Sequence, residues 1–115
     1  MLSNLSELYT ATFTNGSGTF WLDGHERTNG YVVALAGYEI RANVNVCKPS
    51  LLLDYANDLL APHADGIGLW YDENSGHVYI DSVLHVDSFE YAVEFGKLNK
   101  QFAIYDIANS TVINL

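Results

Sequence analysis

From Val32 to Val46 the chain alternates without a break, and no other stretch limits its fold so tightly. Val32, Ala34, Ala36, Tyr38, Ile40, Ala42, Val44 and Val46 lie on one side of an extended chain. The opposite side begins apolar with Val33 and Leu35 and turns polar at Glu39, Arg41, Asn43 and Asn45. A period of two is the signature of a half-buried strand. A single strand of about 15 residues would span roughly 50 Å at ~3.3 Å per residue, too long for a chain this size. A bend or break is therefore expected near Gly37, where a missing side chain lets a strand coil.

The rest of the chain divides by the same signals. Tyr9, Ala11 and Phe13 alternate with Thr10, Thr12 and Thr14, which predicts a strand over 8–14. Asn15-Gly16-Ser17-Gly18 supplies hairpin residues, and Thr19 to Leu22 returns. Asp23 to Gly30 reads as an exposed loop. Pro49-Ser50 opens a helix through Leu60, with Leu52, Tyr55, Ala56 and Leu59 as its apolar stripe and Pro62 as its stop. Gly66–Tyr71 and His77–Val86 flank Asp72-Glu73-Asn74-Ser75-Gly76, a strong hairpin signal. Asp87 to Leu98 reads as a second helix, capped by Asp87 with Glu90 at capping-box spacing. Its buried side is expected to carry Phe89, Ala92, Val93 and Gly96. Phe102–Ile107 and Thr111–Leu115 form a last hairpin around Ala108-Asn109-Ser110. No parallel crossover is required, so a single α+β domain is expected: a mainly antiparallel twisted sheet with two helices packed on one face. Phe20-Trp21-Leu22-Asp23 with Gly30-Tyr31-Val32 echoes Leu69-Trp70-Tyr71-Asp72 with Gly76-His77-Val78, as two duplicated ββα units would.

Charge narrows the partners. Between Pro49 and Gly96 stand nine carboxylates (Asp54, Asp58, Asp65, Asp72, Glu73, Asp81, Asp87, Glu90 and Glu94) and no Lys or Arg. Five acids and five basic residues cancel elsewhere, so the formal charge of −9 belongs to that window. Such a surface repels nucleic acid and membranes and attracts basic protein surfaces. With 49% hydrophobic residues the chain is no disordered acidic tail. Asp54/Asp58 and Glu90/Glu94 are i, i+4 pairs that repel by a few tenths of a kcal/mol each (~0.2–0.5) with no cation between Pro49 and Gly96 to relieve them. Rows of carboxylates can imitate a phosphate track; an ordinary solvated face is the competing reading.

Catalytic signals are sparse. His77, Tyr79, Asp81, Val83, His85 and Asp87 share one side of a strand, a pattern open to metal binding or general-base chemistry. His77 and Asp81 lie about 13 Å apart along such a strand, however, too far to share one ion unaided. Cys47 sits beside Lys48, on the polar side if alternation persists. No Gly-x-Ser-x-Gly elbow, P-loop, dinucleotide fingerprint, Cys-x-x-Cys or His-Glu-x-x-His occurs. A non-enzyme with no cofactor and no resident metal is expected. Tyr91, Phe95 and Leu98 add a second apolar stripe to the last helix, which is either buried or an interface. A lone cysteine, no apolar run near ~20 residues and no basic leader at Met1-Leu2-Ser3-Asn4 make a cytoplasmic protein the expectation.

Leu69-Trp70-Tyr71-Asp72, Gly76-His77-Val78-Tyr79-Ile80-Asp81, Ala92-Val93 and Gln101-Phe102-Ala103-Ile104-Tyr105-Asp106 resemble short acidic bacteriophage-encoded proteins. The Trp-x-Asp and Ala-Ile-Tyr-Asp elements are loosely similar to ArdA-type antirestriction proteins, which are acidic DNA mimics. The resemblance covers about Gly66 to Asp106. It implies an anti-CRISPR or antirestriction inhibitor acting on a host nucleic-acid-handling complex in the host cytoplasm. The partner-binding candidates are Asp54, Asp58, Asp72, Glu73, Asp87, Glu90 and Glu94, with Tyr71 and Tyr91 as anchors. The alternatives are a metal-dependent or ligand-binding enzyme using His77, Asp81, His85 and Asp87, and a self-assembling phage component, a homodimer included, joined through Tyr91, Phe95 and Leu98.

Overall fold

The structure, a computed structural model, describes residues 7–10, 12, 16–45 and 47–115. Helical residues 7–10 and 12 (α1) are followed by β1 (Ser17–Trp21), β2 (Tyr31–Ala34), β3 (Ile40–Asn43) and α2 (Pro49–Asp58). Then come β4 (Gly66–Asp72), β5 (His77–Val86), α3 (Phe89–Leu98), β6 (Ala103–Asp106) and β7 (Thr111–Asn114). The strands form one sheet in the order β1-β4-β5-β2-β6-β7, with β3 also on β5, and every pairing is antiparallel. The fold class is α+β, as expected. No helix among the described residues is long and apolar enough to cross a membrane.

The expected break at Gly37 is present. β2 and β3 lie end to end along one edge of β5, Ala34 opposite Val83 and Ile40 opposite Ile80. Six residue steps on one side thus face three on the other. The three extra residues bulge out, with Gly37 at a φ of +86° that L side chains rarely adopt. An odd insertion reverses which side chains point inward. Val33 is therefore buried in β2 while Ile40 and Ala42 turn to the core in β3. The uninterrupted apolar side read from Val32 to Val46 is corrected accordingly: Val32 and Ala34 lie opposite to Ile40 and Ala42. Val46 lies outside the described residues.

The helices share one side of the sheet. Leu52 and Tyr55 of α2 are fully buried with Phe20, Cys47, Ile67, Leu69, Val78 and Ile80. Ala92 of α3 joins Val33 and Ile104, with Val93, Tyr31, Val86 and Ile113 at the margin. Leu8 of α1 completes the first cluster, reaching Gly18 of β1, where a Cβ would meet Leu8 Cδ1 at 2.9 Å.

The predicted strand over 8–14 is helical wherever it is described; residues 11, 13 and 14 lie outside the description. Leu8 and Thr12 stand one helical turn apart, and Thr12 Oγ1 donates to the Leu8 carbonyl at 2.8 Å. That bond lets the hydroxyl be buried, so a Thr that alternation places in solvent sits inside instead. β1 pairs with β4, and among the described residues no strand precedes it to form the expected hairpin at Asn15-Gly16-Ser17-Gly18, of which Asn15 lies outside the described residues. The duplicated ββα units also fail: β4 and β5 are a hairpin, but β1 and β2 pair with different strands. The helix over 87–98 is capped by Ser88, whose Oγ accepts from Tyr91 N, and not by Asp87. Leu59 and Phe89, expected inside, are exposed, because α2 ends at Asp58 and Phe89 occupies the first turn, against Tyr31 at 5.7 Å.

Candidate protein-interaction surface

α3 carries three of the nine partner-binding candidates, Glu90, Tyr91 and Glu94. Ala92 and Gly96 are buried because they face β2 and β6; at Gly96 a Cβ would crowd Leu115 Cδ1 and Ile104 Cγ2. Tyr91, Phe95 and Leu98, at i, i+4 and i+7, fall on another side and are 60%, 39% and 70% exposed. Phe102, just beyond the helix, is 91% exposed. Tyr91 and Phe95 stack with centroids 6.4 Å apart, making a small aromatic ledge. Glu90 and Glu94 each precede a member of the stripe by one residue, so they border it along one flank and are exposed. Asp87 is exposed just ahead of the helix. The second stripe is therefore an open surface, not core.

The other carboxylates lie elsewhere. Asp54 and Asp58 are exposed on α2. Asp58 lines a hollow of about 320 Å³ with Gly37, Tyr38, Glu39, Ile40, Leu59 and Leu60. Glu73 is exposed in the β4–β5 turn, while Asp72 braces that turn, accepting from Asn74 N at 3.1 Å and Ser75 Oγ at 2.9 Å. β5 runs ten residues between the Asp72/Glu73 turn and Asp87. At ~3.3 Å per residue that separates them by roughly 30 Å, several Debye lengths at physiological salt. The acidic window is thus several patches, not one continuous track. Tyr71 packs against the core cluster beneath the sheet. It is half-buried, because its position on β4 faces the helices.

Among the described residues, the opposite side of the sheet carries no helix. Trp70 and Tyr79 stack across β4 and β5 with centroids 5.2 Å apart. Trp21 is buried at one end, under the loop between β1 and β2. The Arg27 guanidinium lies 4.9 Å from the ring centroid, and His85 meets it edge-on at 5.5 Å. Arg27 is oriented by two 2.9 Å bonds to the Asp23 carboxylate. Those bonds, with one from the His25 N–H, hold the Asp23 carboxyl down at about 2.

The His/Asp strand set does not gather. His77 and His85 are eight residues apart on β5, about 26 Å. No group of three or more His, Cys, Asp or Glu side chains is placed to hold a metal ion among the described residues. His85 is held by its own partners: its N–H donates to Asp65 Oδ2 at 2.8 Å, and its Nε2 lies 2.9 Å from the Asn29 carbonyl and 3.8 Å from Asp87. Cys47 is fully buried, and burial pushes its thiol up, so alternation misplaces it on the polar side. Sequence reasoning also missed a pairing: Asp81 is pushed up to about 7, first by burial and then by the charge and hydrogen bonding of nearby Glu39. Both residues sit on polar sides of predicted strands, but only the register across the Gly37 break brings them opposite. No protein-family model, curated protein or solved structure matches this chain.

Proposed function

We propose that the protein is a non-enzymatic binding protein that docks the outer side of α3 into a groove on a basic partner protein. The observation that carries this reading is the exposure of Tyr91, Phe95 and Leu98 beside Glu90 and Glu94. An apolar strip rimmed by charge on one side is how helix-in-groove interfaces are built. The aromatics supply desolvation energy at the centre, and carboxylates at the rim steer association and select the partner. The matching partner has an apolar cleft bordered by Lys and Arg, which is the chemistry of a nucleic-acid-binding groove. The resemblance to phage-encoded anti-defence proteins supports a host nucleic-acid-handling protein as that partner, occluded by the bound chain. Asp54, Asp58, Asp72 and Glu73, on other patches, make no contact at this site and add only to the chain's net negative charge.

The test is a capture experiment from host lysate with three baits: the wild-type chain, Leu98→Ser, and the double variant Glu90→Lys/Glu94→Lys. The expected result is a nucleic-acid-binding protein retained by the wild type alone, released at high salt and blocked in its nucleic-acid binding by the wild-type chain. Equal retention by all three baits would remove α3 from the interface. Mass that grows with concentration and falls in Leu98→Ser would instead assign the stripe to self-association.

A further inference from the structure

We propose that Glu39 and Asp81 form a pH-sensitive latch that holds the edge strand β3, and the Gly37 turn before it, onto β5. Ile40 stands opposite Ile80 and Asn43 opposite His77. The same register carried back one residue puts Glu39 opposite Asp81. Like charges directly opposite on neighbouring strands destabilise a sheet. A proton between the two carboxyls turns that repulsion into a hydrogen bond.

The surroundings leave the proton as the main relief. Along β5, Asp81 is flanked by Tyr79 and Val83. Across the sheet stands Gly68, where an added Cβ would crowd Val83 Cγ1 at 3.1 Å and stand 3.9 Å from Asp81 Cβ, with Trp70 diagonal to it. From β3 and the residue before it the titratable and charged groups are Glu39 and Arg41, both exposed, Arg41 opposite Tyr79. From α2, Tyr55 and Asp58 approach: the Tyr55 hydroxyl feels both carboxyl charges, and Asp58 shares a hollow with Glu39. Asp81 is pushed up to about 7, first by burial and then by Glu39's charge and hydrogen bond.

β3 is a short strand, tied before its start by the Tyr55 hydroxyl on the Tyr38 carbonyl and after its end by the Val44 N–H on the Gly76 carbonyl. Its four residues pair with β5 alone among the described strands, and Ile40 and Ala42 are only half-buried. The turn before it pivots at Gly37, whose positive φ already lies outside strand geometry. With β3 attached, Asp81 is pushed up to about 7; detachment removes Glu39's share of that rise and lowers it. The attached state therefore holds the extra proton in a window below pH 7. Detachment becomes easier as pH rises through that window and levels off above it.

Amide hydrogen exchange of the full chain, corrected for intrinsic rates, reads the latch directly at pH 5, 6 and 7. Protection of the β3 amides is expected to fall by up to roughly tenfold per pH unit, while that of the β4–β5 ladder stays level. Asp81→Asn, which keeps the shape without the charge, is expected to give pH-independent protection. If that variant does not fold, Glu39→Gln serves, with a flatter pH slope expected because only one charge remains. Protection in β3 that ignores pH in the wild type, or falls equally in a folded variant, overturns the proposal.

Discussion

The Tyr55 hydroxyl lies 2.7 Å from Ser82 Oγ, and this contact ties α2 to β5 at the point where β2 breaks from β3. Tyr55 donates its one proton to the Tyr38 carbonyl at 2.6 Å, so Ser82 must be the donor between the two hydroxyls. Ser82 Oγ in turn accepts from Ala61 N–H at 3.0 Å. The chain of bonds satisfies backbone groups that the bulge and the end of α2 leave without ladder partners. Tyr55→Phe is expected to cost about 1–3 kcal/mol, since it leaves a buried hydroxyl and a carbonyl unsatisfied. Urea unfolding measures this as a lower midpoint at an unchanged slope.

Gly66 tests the β1–β4 pairing. A Cβ there would stand 2.6 Å from the Phe20 carbonyl oxygen, which is backbone and cannot swing aside. Gly66→Ala is expected to destabilise by about 1–3 kcal/mol, the range for overpacking. Thermal unfolding of the variant against wild type checks it, and an unchanged midpoint would mean that β1 does not pack as described.

The α3 surface separates binding from stability. Tyr91 and Leu98 are mostly exposed, so Tyr91→Ala and Leu98→Ser are expected to change stability by no more than about 0.5 kcal/mol. Both are expected to abolish partner capture. A large loss of stability in either would place the stripe in the core instead.

Asp23 offers a clean titration. Its carboxyl sits near 2 because Arg27 and the His25 N–H bond the charged form. The stabilising effect is complete above the ordinary 3.8 and disappears as pH falls through 2. In Arg27→Gln the Asp23 midpoint, followed by carboxyl NMR shifts, is expected to rise toward 3.8. The same variant uncovers Trp21, so its fluorescence is expected to change as well.

Cys47 is expected to resist thiol reagents in the native protein and to react on unfolding. Its side chain is fully buried and its thiol is pushed up by that burial; the thiolate is the reactive form. Rapid modification under native conditions would contradict its place in the core.

Local signals made much of the fold legible. Asp72-Glu73-Asn74-Ser75-Gly76 turns as read, with Gly76 at a φ of +71°. The helices begin at Pro49 and Phe89, within a few residues of where apolar period and caps place them. The stretch over 8–14 misled because alternating Thr and aromatics satisfy a strand pattern while Leu8 and Thr12 also satisfy a helix. The side on which Gly18 has no Cβ decides for the helix, and that contact lies ten residues downstream of Leu8.

The candidate site was half legible for a related reason. Period and spacing identify Tyr91, Phe95 and Leu98 as one stripe, but an amphipathic pattern cannot say whether a second apolar side is covered. Likewise, alternation assigns Glu39 and Asp81 to polar sides of their strands and is silent on whether those strands meet.

What this amino-acid sequence determines by itself is local: antiparallel hairpins, two amphipathic helices, a break at Gly37 and an acidic middle without cations. Each follows from backbone preferences and periods acting over a few residues. Tertiary structure alone decided that β1 joins β4, that three inserted residues reverse the inward side between β2 and β3, and that the acids fall into separate patches. It also brought Glu39 opposite Asp81. Strand pairing between distant segments is selected by how well the whole apolar surface packs, and no short window of residues contains that sum.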